Sequence, residues 1–200
     1  MSQDDRRLLE AASAGDVEGV ALALSEGAEL EGHDEFGRTA LLLAAVEDRV
    51  DVARLLVAAG ADPNAQDGRQ DSAFLVTGVT GSVAMLEALM PANPDPRVRN
   101  RYGGVAVIPA AERGHVEYVR AVLELTDVDV NHVNDLGWTA LLEAVILGDG
   151  GPRHQQIVAI LLDHGADPSI PDKDGVTARA HAERQGFSSI VALLPPAAPR

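Results

Sequence analysis

The sequence predicts an all-α repeat solenoid, and three observations carry that expectation. The first is self-similarity. DEFGRTALLLAAVEDRVDVARLLVAAGADPNA at 34–65 and NDLGWTALLEAVILG…QQIVAILLDHGADPSI at 134–170 both read G-x-T-A-L-L, then alanines, then V/I-x-x-L-L, then G-A-D-P. The second is spacing: Thr39 and Thr139 stand 100 residues apart, three periods of roughly 33. The third is composition. Hydrophobic residues make up 46% of the 200, mostly Ala, Leu and Val, while aromatics are 3%. A core of that kind suits thin, closely packed helix pairs.

The units follow in order. An N-terminal copy, RRLLEAASAGDVEGVALALSEGAEL, ends at Gly27-Ala28 as others end at Gly60-Ala61 and Gly165-Ala166. Intermediate copies stand around Ser72 and Val105, and a last one around Thr177. Six turn–helix–helix units result, at about 4–32, 33–65, 66–98, 99–132, 133–170 and 171–194, in a single domain spanning 1–195 with a Pro/Ala-rich tail at 195–200. PPAAPR cannot continue a helix, so the tail is expected to fray. Asp4, Asp5, Arg6 and Arg7 suit a solvated end face.

Within a unit each letter has a task. Gly37, Gly137 and Gly175 fit a turn that needs positive φ. Thr39, Ser72, Thr139 and Thr177 fit N-caps, where a hydroxyl satisfies an orphan amide. Ala40, Ala44 and Ala45 keep the first helix slim, and Val52, Leu55 and Leu56 give the second an apolar stripe. Gly27, Gly60 and Gly165 fall where a left-handed C-cap closes the second helix. No unit could bury its apolar face alone, so the units must stack.

This pattern resembles the ankyrin repeat over nearly the whole chain. GADPN at 60–64, VDVN at 128–131 and Gly114-His115 are close matches, while Ala40, Ala73, Ala140 and Ala178 take the family's usual proline place and Leu42 and Leu142 its usual histidine. The resemblance implies recognition of proteins through turn tips and the exposed side of the first helices. Carried over by position, that surface holds Glu35, Phe36, Arg38, Glu47, Arg69, Asp71 and Arg101, then Tyr102, Glu112, Arg113, Leu136, Trp138 and Lys173.

GDGGPRH at 148–154 has the glycines of a phosphate cradle but no following Lys-Ser/Thr and no preceding strand. Thr139 and Thr177 are 38 residues apart, about five more than the period, so the stretch reads as an enlarged inter-helix turn. Shortening residues 149–153 to a regular length is expected to leave the fold intact, since loop length costs little free energy. A specific contact by Arg153 or His154 stays open. The six histidines are dispersed, without metal-ligand spacing, and are expected on turns and helix surfaces. No nucleophile signature is present, and with no cysteine, thiolate chemistry is excluded. The acidic pairs Asp4-Asp5 and Asp34-Glu35 are expected to be solvated. No catalytic residue, metal or cofactor is expected.

The aromatics are more telling. Phe74, Tyr118 and Phe187 fall on helices and are expected to pack. Phe36, Tyr102 and Trp138 flank turn glycines, Leu136 matches Phe36 in register, and Arg38, Arg69, Arg101 and Arg113 share their face. Arginines and aromatics have the composition of a binding hot spot. A lone tip aromatic is also commonly half-buried against its neighbour, so that alternative stays open. Arg101 and Arg113 would attract acidic groups of a partner.

The net charge of −15 repels phosphate backbones and anionic lipids, which argues against nucleic acid and membrane surfaces. The start, MSQDDRRLLEAAS, reads neither as a signal peptide nor as a membrane span, so a cytoplasmic monomer is expected. A single lysine, Lys173, among sixteen basic residues fits a GC-rich bacterial genome. The expected function is noncatalytic binding of a partner protein. The alternatives are a structural or assembly subunit and a small-ligand-binding protein.

Overall fold

In the computed structural model, residues 2–196 are described, and the chain divides into two compact units, one ending at Arg101 and the other beginning at Tyr102. The tail expected to fray lies outside the described residues from 197 onward.

The first unit holds three helix pairs: α1 (Gln3–Ala14) with α2 (Val17–Ser25), α3 (Ala40–Val46) with α4 (Val50–Ala58), and α5 (Ala73–Thr80) with α6 (Val83–Leu89). The first helices stack in one row, α1 on α3 on α5, and the second helices in another, α2 on α4 on α6. Ala40, Ala44 and Ala45 are buried between first helices, where a larger side chain would hold the rows apart. Val52, Ala53 and Leu56 of α4 and Met85, Leu86 and Leu89 of α6 fill the space between rows.

Caps form where the hydroxyls predict them. Thr39 Oγ1 accepts the Leu42 amide and Ser72 Oγ the Leu75 amide, both at 3.2 Å. At the start of α1 the structure departs from the sequence reading. Asp5 is buried, not solvated: its carboxylate accepts the Ser2 amide at 2.7 Å in a capping box and the Glu29 amide at 3.0 Å. Three donors, the Glu29 amide first and then Ser2's amide and hydroxyl, hold its pKa below the usual value.

The second unit repeats the scheme with α7 (Val107–Glu112) and α8 (Val116–Leu125), α9 (Ala140–Ile146) and α10 (Pro152–Asp163), α11 (Ala178–Gln185) and α12 (Ser188–Leu193). Its rows are α7–α9–α11 and α8–α10–α12. Tyr118 lies fully buried on α8, as Phe74 does on α5. Thr139 and Thr177 cap α9 and α11 through the Leu142 and Ala180 amides.

Helix α7 is short and lacks a hydroxyl cap. It has no side-chain cap, Val105 standing where the neighbouring repeat has Thr139. Pro109 is the third residue of α7, inside the first turn, where its missing amide would have no intrahelical partner, so it does not break the helix. In hydrogen exchange, α7 amides are expected to exchange faster than those of α9 in the same unit. Slower exchange in α7 would show that burial of Val105–Ile108 outweighs the missing cap.

Candidate protein-binding surfaces

Four hairpin tips are each shaped by one carboxylate or amide, from Asp34, Asp67, Asn134 and Asp172. In the first unit Asp34 Oδ1 accepts the Phe36 and Arg38 amides, both at 2.9 Å. Asp67 Oδ1 accepts those of Arg69 at 2.8 Å and Asp71 at 2.9 Å. Burial raises the pKa of Asp34, but the Arg38 guanidinium and the two tip amides more than offset it and hold the carboxyl below its usual range. Asp34 is therefore a structural acceptor, not a solvated charge. The Gly68 amide donates to the Phe36 carbonyl at 2.9 Å and joins the two tips.

Three of the predicted residues meet here. Phe36 is 59% exposed, and the Arg38 guanidinium lies 5.0 Å from its ring centroid, a cation–π contact that limits the ring's motion. Phe36, Arg38 and Arg69 line an open groove of about 570 Å³ with Glu35, Asp67 and Asp71. Leu42, Val46 and Val76 of α3 and α5 supply its apolar side. Arg101 reaches the groove indirectly, through an ion pair with Asp71 at 3.4 Å. Burial, then the neighbouring Asp67, pushes the Asp71 carboxyl upward, and Arg101 and Arg69 offset this only in part.

In the second unit Asn134 takes the acceptor's place. Its Oδ1 accepts the Leu136 and Trp138 amides, both at 3.0 Å, and its Nδ2 donates to Glu143 Oε1 at 2.8 Å. The Asp135 amide donates to the Tyr102 carbonyl at 2.9 Å, so the tips carrying Tyr102 and Leu136 are joined. Both side chains are exposed, while Trp138 is half-buried. Lys173 Nζ donates to the Asp135 carbonyl from the following tip. Arg113 is not at these tips. It is the C-cap of α7, at the far end of that helix from Tyr102.

Sequence reasoning passed over Glu143. It is 5% exposed, at the register of Leu43 and Val76 in the first unit. Burial, then the nearby Glu112 carboxylate, pushes its pKa up to about 7 against the pull of the Asn134 hydrogen bond. The surrounding repeat pattern is apolar at this place, so only the mismatch with Leu43 could have revealed it.

The glycine-rich stretch is more than an enlarged turn. The excess is split between a five-residue turn at 147–151 and an α10 of 12 residues, against 9 in α4. Pro152 opens α10 at a position where its fixed φ is an advantage. Gly150 has φ +69, and a Cβ there would lie 2.4 Å from the Phe187 ring. His154 is buried, contrary to the surface position expected of it. Its Nε2 hydrogen donates to the Glu112 carbonyl at 3.0 Å, and its Nδ1 lies 2.8 Å from Asp149 Oδ1. The stretch is thus packed on both sides, by Phe187 and by the Glu112 backbone. No phosphate cradle forms, because the His154 ring and Phe187 occupy the space.

Among the described residues, no three His, Asp or Glu side chains gather as a metal-holding group, and no helix is long and apolar enough to cross a membrane.

The comparisons agree with this architecture. The sequence profile of the family described as "Ankyrin repeats (3 copies)" matches residues 4–67 and 75–172. The ankyrin repeat protein YahD of Escherichia coli (strain K12) is 40% identical over 184 residues, 92% of each chain. An ankyrin repeat domain of Acinetobacter baumannii AYE superposes with a TM-score of 0.89 at 47% identity, covering 93% of this chain and 94% of that one. The ankyrin repeat protein EF0377 gives 0.91 at 38%, covering 96% and 98%. Proteins of this kind are in general non-enzymatic protein–protein interaction modules. With its stacked helix pairs, hydroxyl caps at α3, α5, α9 and α11 and left-handed glycines after α2, α4 and α10, the chain belongs to the ankyrin repeat family, an all-α repeat fold.

Proposed function

We propose that the protein is a noncatalytic recognition module that binds a partner protein through its hairpin tips and the exposed side of its first helices. Phe36, Arg38, Arg69 and Arg101 serve in the first unit, and Tyr102, Arg113, Leu136 and Trp138 in the second. The observation that carries this reading is the exposed Phe36 ring, held by Arg38 beside an open groove with an apolar side. A large exposed aromatic has no reason of its own to be held in place over a groove, and buried aromatic and arginine anchors dominate interface energetics. The protein works in the cytoplasm as a monomer without a cofactor, and its net charge of −15 keeps it from nucleic acid and anionic membranes.

Affinity capture from cell extract, with mass spectrometry of what is retained, tests the reading. A protein held by the wild type and lost on the Trp138→Ala variant supports it. Calorimetry with that partner should then show a loss of about 2 kcal/mol or more, with little change in melting temperature. A lower melting temperature with unchanged affinity would make Trp138 a packing residue. A small molecule retained in native mass spectrometry, or self-association that size-exclusion chromatography shows to be reversed by dilution, would overturn the reading.

A further inference from the structure

We propose that the groove of the first unit receives a partner segment that places a large apolar side chain beside a lysine or arginine. This rests on the recognition reading above and gives its partner a chemistry.

The apolar requirement comes from the lining. Phe36 and Val46, exposed at 59% and 43%, form an apolar surface backed by the buried Leu42 and Val76, and an incoming hydrocarbon displaces water from it. A groove of about 570 Å³ accepts a large side chain without rearrangement. The tip amides of Phe36, Arg38, Arg69 and Asp71 are already committed to Asp34 and Asp67, so the segment binds through its side chains and not as an added strand.

The basic requirement comes from counting committed charges. Arg38 places both Nε and Nη2 on Asp34 Oδ2, at 2.7 and 2.6 Å, and its guanidinium face on Phe36. Arg101 is turned to Asp71. The arginines that look like an anion-binding set in sequence are thus largely spent inside the protein. Arg69 then faces Glu35 and Asp67 on the rim, and the balance is negative. Asp71 points the same way: burial and Asp67 push its carboxyl upward in spite of Arg101 and Arg69, so a further cation would relieve it. At longer range the net charge of −15 steers a basic segment toward the protein and an acidic one away.

The test is selection of random linear peptides displayed on phage against the immobilised full-length protein, followed by fluorescence anisotropy with the enriched peptides. The enriched set should share a Leu, Ile, Phe or Trp within a few positions of a Lys or Arg. Phe36→Ala should weaken their binding about tenfold or more. Glu35→Lys should weaken it by about threefold at low salt and less at high salt. Both positions are exposed, and circular dichroism confirms that each variant is folded. Enriched peptides that are acidic, or that bind Phe36→Ala as tightly as the wild type, overturn the assignment and leave the recognition reading standing. A library that yields no specific binder on any surface overturns both.

Discussion

Above pH 7 the Glu143→Gln variant is expected to be more stable than the wild-type protein by about 3 kcal/mol, and at pH 4 the two should be nearly equal. The cause is the buried carboxyl. Its pKa stands near 7 in the folded chain against an ordinary value of 4.5. Between these values the folded state holds a proton that the unfolded state has released. Stability therefore falls as pH rises through that window and levels off above it. Glutamine keeps an oxygen for the Asn134 Nδ2 hydrogen bond and carries no charge for Glu112 to repel. Urea unfolding of both proteins at pH 5 and pH 8 checks this. A wild-type slope that survives the substitution would mean that water or backbone movement relieves the carboxylate.

Excising residues 149–153 is expected to destabilise the protein by about 3 kcal/mol, lowering its melting temperature by roughly 9 °C. The excision removes Asp149 and the first two residues of α10, Pro152 and Arg153, ahead of His154, and takes Gly150 away from the Phe187 ring. His154→Ala should show much of the same loss, because it leaves the part-buried Glu112 carbonyl without this donor and opens a cavity where the buried ring stood. If both variants melt with the wild type, the stretch is the dispensable turn that its glycines suggest in sequence.

The repeat was legible because its signals are local. A hydroxyl three residues before an amide, a glycine at a positive-φ turn and alanines on a crowded helix face need only the chain's own neighbourhood to act. Thr39, Ser72, Thr139 and Thr177 all cap as their spacing implies. Gly37, Gly137 and Gly175 all have the left-handed φ, at +82, +87 and +75. What stayed hidden depends on partners distant in sequence. His154 bonds a carbonyl 42 residues away, and Asp5 an amide 24 residues away. Composition marks both as polar surface, and only the packed neighbour shows otherwise. The same holds for the groove. Its aromatic, Phe36, and its arginines could be found from the tip register, but Val46 looks like ordinary core in a helix of alanines and leucines. That Arg38 and Arg101 are already paired cannot be read from their spacing to any target.

The tips divide their labour along the chain. Asp34, Asp67, Asn134 and Asp172 each bind the amides two and four residues on. The residue three places after each takes a left-handed φ, in Gly37, Gly137 and Gly175 and also in Gln70 at +62. Two positions thus write the backbone of these four tips. The residues two and four places on contribute their amides whatever side chain they bear: phenylalanine and arginine at one tip, arginine and aspartate at the next, leucine and tryptophan at a third. On the recognition reading proposed above, substitution at those places changes what the tips present, while Asp34, Asp67, Asn134 and Asp172 keep the backbone bonds that display it.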